Sequence, residues 1–265
     1  MGLTRNIGAA TIDGLAYIGG LTRLAGGTTK AMFGEIFRER KIPFARSVHQ
    51  GMAVGVGALP ILSLISFFVG MILALQAAYE LRKFGAMQYV ASAVALTVTR
   101  ELGPLMTAIL VIGRSGSSFA AELGTMRVNE EIDALVTMAL DPVRFLVVPK
   151  LIAMLIMVPC LTIWADLMGV LGGALFGITN ASFTLSGYLH ATMDALVLRD
   201  IVTGLIKALM FGLVITMVGC QEGFRTGLGP EEVGRSTTSA VVMSIFLVIL
   251  VDLVFTALFY FGVTG

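Results

Sequence analysis

Five apolar stretches, each long enough to cross a lipid bilayer as a helix, dominate this 265-residue chain: 51–79, 85–113, 151–177, 201–219 and 236–265. A bilayer's hydrocarbon core takes roughly 20 consecutive apolar helical residues. Lipid offers no water to the backbone, so each stretch must satisfy its own N–H and C=O groups as a helix. The expected fold is an all-α membrane protein with five transmembrane helices. Function is then to be sought where the apolarity fails. Composition agrees: 57% of residues are hydrophobic and 13% charged, with a mean hydropathy of +0.92, unlike the usage of soluble domains.

Several classes of function find no support. The formal charge is +1 with no basic run, so nucleic acid is not an expected partner. Cys160 and Cys220 lack CxxC spacing and read as small buried thiols. His49 and His190 stand far apart, and no HExxH or GxSxG motif accompanies them. The run Gly113-Arg-Ser-Gly-Ser-Ser118 looks faintly like a phosphate cradle but lacks the Gly-Lys-Ser/Thr of a nucleotide-binding loop. The chain is expected to be neither an enzyme nor an ATPase, and to hold no metal.

Residues 1–30 mix Arg5, Asp13, Arg23 and Lys30 with glycines, which is unlike a cleavable signal. The apolar Ile7, Leu15, Ile18 and Leu21, then Met32, Phe33, Ile36 and Phe37, recur at helical spacing, as in helices that lie in the membrane interface. Residues 1–46 are therefore read as an interfacial unit and 47–265 as the membrane domain. Short loops rich in Lys and Arg stay cytoplasmic. With the N-terminus inside, the inner side receives Arg5, Arg23, Lys30, Arg38, Arg40, Lys41, Arg46, Arg114, Arg127, Arg144, Lys150, Arg225 and Arg235. The outer loops receive only Arg82, Lys83 and Arg199, and five crossings put the C-terminus outside.

Between the second and third stretches, 115–141 holds Glu122, Arg127, Glu130, Glu131 and Asp133 beside an apolar stripe of Val128, Ile132, Leu135 and Ala139. That pattern predicts an amphipathic helix closed by Asp141-Pro142. Inside the spans, Arg100-Glu101 interrupts the second stretch just before Gly103-Pro104, which is expected to break or kink the helix. Sequence neighbours do not face each other on a helix. Arg100 and Glu101 should thus find partners on other helices, with Asp166, Lys207 and Asp252 as candidates, either in transport or as helix-pairing salt bridges. Gly51/Gly55 and Gly169/Gly173/Gly177 permit close helix approach. Pro60 and Pro159 are expected to kink the first and third spans. Gln76 and Tyr79 are candidate cavity lining.

The runs Thr99-Arg-Glu-Leu-Gly-Pro-Leu-Met-Thr107, Gly113-Arg-Ser-Gly-Ser117, Ala121-Glu-Leu-Gly-Thr-Met-Arg127, Glu130-Glu-Ile-Asp-Ala-Leu135 and Asp141-Pro142 occur in this order, with Leu75-Gln76 upstream and Arg235-Ser-Thr-Thr238 downstream. Together they resemble the signature of MlaE/YrbE-type permeases, from about Phe44 to Gly262. The resemblance implies the membrane subunit of an ABC system that carries phospholipids or related lipids between bacterial membranes and maintains outer-membrane lipid asymmetry. It implies an inner-membrane homodimer, with an ABC ATPase subunit (MlaF-like) that binds ATP and Mg, a hexameric periplasmic MCE-domain protein (MlaD-like) and a STAS-domain protein (MlaB-like). This chain itself is expected to hold no cofactor. By the same resemblance, about 118–140 is the coupling helix that grips the ATPase, through Glu122, Arg127, Glu130, Glu131 and Leu135. Leu73, Gln76, Tyr79, Arg100 and Glu101 are the expected lining of the lipid cavity, formed at the dimer interface by the first, second and fifth spans.

Two rival classes are weighed against this one. In an ion-coupled secondary transporter of an amphiphilic substrate, Arg100, Glu101, Asp166, Lys207 and Asp252 would relay ions or protons without an ATPase, although no internal repeat is evident. In a structural or assembly factor, the same residues would only pair helices.

Overall fold

The computed structural model describes residues 2–37, 44–180 and 184–261. Arg38, Arg40, Lys41 and the chain beyond Phe261, invoked above, lie outside the described residues. Among the described residues all regular structure is helical. Five helical stretches are long and apolar enough to cross a membrane: Leu59–Lys83, Met87–Val128, Val143–Thr179, Leu198–Arg225 and Pro230–Phe261. The chain is a multi-pass membrane protein.

The N-terminal segment forms α1 (Gly2–Phe37) and α2 (Phe44–Gly55). From α1, the partly buried Leu21, Leu24 and Ala25 pack against Leu123, Ile132, Leu135, Leu146, Met217 and Cys220. The Gln221 side-chain amide donates to the Tyr17 carbonyl at 3.0 Å. Burial, and next the negative charge of Glu222, push the Tyr17 hydroxyl above its ordinary pKa.

The first span, α3 (Leu59–Lys83), starts later than the apolar pattern suggests, because residues 51–55 complete α2 and a tight turn follows. Pro60 sits in the first turn of α3, where a missing N–H costs nothing, so it starts the helix and does not kink it.

The second span runs 42 residues, Met87–Val128, without leaving helical geometry. It consists of a 3₁₀ turn at Met87–Tyr89, α4 (Val90–Thr97), a π-turn at Val98–Leu102, α5 (Gly103–Val111), a second π-turn at Ile112–Gly116 and α6 (Ser117–Val128). Pro104 has no N–H for the preceding turn, and the wide turn just before it gives its ring room. The Ser117 hydroxyl donates to the Gly113 carbonyl at 2.6 Å inside the second wide turn. The apolar pattern stops at Gly113, but the helix continues into the polar segment.

That segment is not the single amphipathic helix expected over 118–140. α6 ends at Val128, Glu130 takes a left-handed conformation (φ 59), and a short α7 (Glu131–Thr137) leaves in a new direction. Ala139 is also left-handed (φ 58), which closes α7 ahead of Asp141-Pro142. Ile132 and Leu135 of the stripe are buried, whereas Ala139 is exposed.

A third π-turn at Val143–Val147 leads into α8 (Val148–Asn180), with Pro159 inside it. α9 (Leu185–Ala195) then lies between the third and fourth spans, capped by the Thr184 hydroxyl, which accepts the Gly187 N–H at 3.1 Å. Too short and too polar to register in an apolar scan, α9 buries Tyr188 against Ala91 and Ala174. Burial pushes the Tyr188 hydroxyl up to about 12. α10 (Leu198–Arg225) and α11 (Pro230–Phe261) complete the bundle.

The second span occupies the middle: α5 packs against α8 and α10, α6 against α10 and α11, and α4 against α3. Lipid is as apolar as Leu, so close packing of small residues holds such helices together. A Cβ on Gly70 would stand 1.9 Å from the Gly169 carbonyl oxygen, and one on Gly172 would stand 1.9 Å from that of Phe67. Gly51 and Gly55 instead face the Met157 side chain. Cys220 is buried as expected, but Cys160 is exposed on the outer face of α8.

Candidate functional site

Five charged side chains from three spans meet near the first π-turn. Arg100 reaches across to α10, where its Nε lies 2.8 Å and its Nη2 2.7 Å from Asp200 Oδ1. Asp200 is 5% exposed, and its Oδ2 accepts the Val197 N–H at 3.2 Å, so the same carboxylate caps the start of α10. Glu101 reaches the same helix two turns further along. Its Oε2 lies 2.5 Å from Lys207 Nζ, which also donates to Thr256 Oγ1 at 2.8 Å. Asp252 Oδ1 forms an ion pair with Lys207 at 2.9 Å, without hydrogen-bond alignment. Lys207 is 1% exposed, so its ammonium depends on these neighbours for the solvation that water would give.

Two of the anticipated partners, Lys207 and Asp252, therefore join Glu101. Asp166 does not: it forms no ion pair among the described residues, and its Oδ1 is buried without a hydrogen-bond partner beside Gly103. The actual partner of Arg100, Asp200, and the bridging Thr256 were not among the sequence candidates. Asp200 stands in the first turn of a helix, where an acid reads as a helix-start signal. Thr256 is one of many small polar residues in an apolar span. As ionised groups, Arg100 and Lys207 face Glu101, Asp200 and Asp252, which leaves one negative charge in excess.

A groove of about 270 Å³ opens between α3 and α4, lined by Leu73, Gln76, Ala77, Glu80, Ala93, Val94 and Thr97. Thr97 lies four residues before Glu101, so the groove wall leads onto the charged cluster. Leu73 and Gln76 thus line a groove, whereas Tyr79 is 65% exposed outside it, with Lys83 over its ring at 4.4 Å. The Arg100 side chain, three residues beyond Thr97, is 52% exposed. With Leu73, Ala77, Ala93 and Val94 as its apolar wall and Gln76, Glu80 and Thr97 as its polar positions, the groove suits a molecule with an apolar body and a polar head.

At the basic end of the bundle, the residues expected to grip an ATPase divide. Glu122 pairs with the buried Lys150 at 2.5 Å. Arg127 donates through Nε to the Thr226 carbonyl at 3.0 Å, which ties α6 to the α10–α11 connection. Glu130 and Glu131 are exposed at the bend, where Glu131 accepts from the Asn129 amide at 3.3 Å. Leu135 is 7% exposed and packs inward, so it shapes the segment from within. The exposed apolar positions are instead Val136, Met138 and Leu140.

The sequence profile of permease MlaE matches residues 47–258, most of the chain. The chain belongs to the MlaE permease family. A probable ABC transporter permease protein of Rickettsia prowazekii is 42% identical over 213 residues, covering 80% of this chain and 82% of the relative. A protein of the same description from Synechocystis is 36% identical over 216 residues, 82% of each chain. The chloroplastic protein trigalactosyldiacylglycerol 1 of Arabidopsis thaliana is 36% identical over 222 residues, covering 84% of this chain and 63% of the relative. This MlaE-family member is thus an ABC transporter permease, and both the charged cluster and the α3–α4 groove fall within the matched span.

Proposed function

We propose that this permease moves phospholipids, or related lipids, between the bacterial inner membrane and a periplasmic MCE-domain partner. It works as a homodimer driven by a separate ABC ATPase, with its N-terminus in the cytoplasm and its C-terminus in the periplasm. The observation that carries this reading is that the groove wall ends at Thr97, three and four residues before Arg100 and Glu101 on the same span. A lipid's tails are at home in the bilayer but its headgroup is not, so extraction needs polar groups held at membrane depth and external work. Arg100 is half exposed, and the guanidinium donors not taken by Asp200 are left for a headgroup. Glu101 sets the position of Lys207 and Asp252 behind it. A plant relative whose name is that of a galactolipid is in keeping with a lipid cargo. Work enters at the basic end, where ATPase closure bears on α6, α7 and the exposed Val136–Leu140 face, and the continuous second span carries the displacement to the groove.

Glu101→Ala tests the reading. In proteoliposomes holding the whole complex, transfer of a fluorescent phospholipid to the periplasmic partner is expected to fall about tenfold or more, while co-purification of the ATPase is unchanged. Equal loss of both makes Glu101 a scaffold residue. Wild-type transfer driven by an ion gradient without ATP supports the secondary-transporter alternative instead.

A further inference from the structure

At the basic end, well separated along the chain from Leu73 and Gln76, lies a second cavity of about 370 Å³. Arg46 and His49 of α2, Glu122 and Met126 of α6, and Phe145 and Lys150 at the start of the third span all line it. Its charges are built in. Lys150 is 2% exposed, held by Glu122 at 2.5 Å and lying over the Phe119 ring at 4.9 Å. The Arg46 guanidinium is stacked on the Phe145 ring, 3.8 Å from its centroid. Stacking fixes the plane of a guanidinium while leaving its edge donors free, and among the described residues no carboxylate pairs with Arg46. Arg46 and Lys150 against Glu122 leave one positive charge, suited to one phosphodiester.

The depth of the cavity points to the source of that phosphate. α2 climbs alongside α8, with Gly51 and Gly55 against Met157, and then turns into the first span at Gly57, where Arg114 packs. The cavity therefore lies on the basic side of the point where apolar α3 begins, at the level of the inner-leaflet headgroups in the orientation proposed above. Apolar Met126 and Phe145 line it together with the charges, as a glycerol backbone and the first carbons of an acyl chain require. Basic pockets between transmembrane helices on the cytoplasmic side are physically suited to anionic headgroups.

We infer that this cavity binds the headgroup of an anionic inner-leaflet phospholipid, as a site separate from the transport groove. The lipid bridges α2 to α6 beside the bend into α7, so its occupancy stiffens the segment through which the ATPase acts. This inference rests on the orientation in the proposed function, but not on transport itself, and its test uses no ATP.

The full-length protein in its complex is reconstituted in nanodiscs of phosphatidylcholine with or without phosphatidylglycerol, and retained lipid is read by native mass spectrometry. Phosphatidylglycerol is expected to be retained preferentially. Arg46→Ala is expected to weaken this retention about tenfold, as loss of a charge-assisted contact does, Arg46→Lys to recover part of it, and Ile163→Ala, exposed on α8 and outside both cavities, to leave it unchanged. Equal retention of the two lipids, or loss with Ile163→Ala but not with Arg46→Ala, overturns the assignment. Displacement of the lipid by inorganic phosphate at comparable concentration identifies a free-anion site and likewise overturns it. A complex that transports nothing yet retains the lipid through Arg46 leaves this site standing and removes only the proposed transport.

Discussion

Lys207 shows how much a single charge organises in this bundle. At 1% exposure it serves Glu101, Asp252 and Thr256 from three directions. Replacing it by Met removes the only cation between two carboxylates, and an uncompensated buried charge costs about 3–5 kcal/mol. Because Glu101 is 37% exposed, the low end, about 3 kcal/mol, is expected for Lys207→Met. This is measured as a fall in the thermal midpoint in detergent, with partial recovery in Lys207→Met/Asp252→Asn. The sequence already marks these residues, since ions are rare in lipid. It does not disclose the pairing, which depends on helix rotation: Arg100 and Glu101, adjacent in sequence, reach two different levels of α10, at Asp200 and Lys207. Asp166 illustrates the limit, for its position promised a partner and its carboxyl instead lies against Gly103.

At the scale of elements, the apolar pattern reveals the existence of all five spans and misses what happens at their ends. α2 merges with α3 in an apolar scan because their turn is itself apolar, Val56-Gly57-Ala58. The π-turns leave no composition signal, and the bend at Glu130 is a backbone conformation adopted by a residue type that ordinarily avoids it. Small-residue spacing was the better guide, since it singled out α8 as a helix of close approach, although the tightest contacts with another helix's backbone fall at Gly70 and Gly172. Gly172→Ala would drive a methyl into the Phe67 carbonyl, and is expected to cost about 2–3 kcal/mol through overpacking. Gly113→Ala, where nothing lies within 4 Å, is expected to be neutral or to stabilise by up to about 1 kcal/mol. Denaturation of the two variants in the same detergent checks the contrast.

Across the whole molecule, burial is uneven. Only 11% of the apolar stretch of α11 and 28% of that of α3 is buried, against 50–56% for the other three spans. These two flank the second span and leave the groove and Arg100 at an edge, which is where a second copy would complete an enclosure. Leu253 of α11 is 69% exposed, and Ile163 of α8 is 51% exposed on a different face. In a Cys160→Ser background, Leu253→Cys is expected to cross-link two copies on mild oxidation and Ile163→Cys to remain monomeric on a non-reducing gel. The reverse pattern would move the contact surface to α8. Family and architecture were legible in ordered motifs along the chain; which faces remain uncovered was not, because that emerges only when helices are assembled. The 42-residue second span has a mechanical corollary. Met126 and Arg100 belong to one rod and stand roughly 40 Å apart along it at the helical rise. With no loop between foot and head to absorb strain, a shove delivered to one end arrives at the other as a displacement of the lever itself.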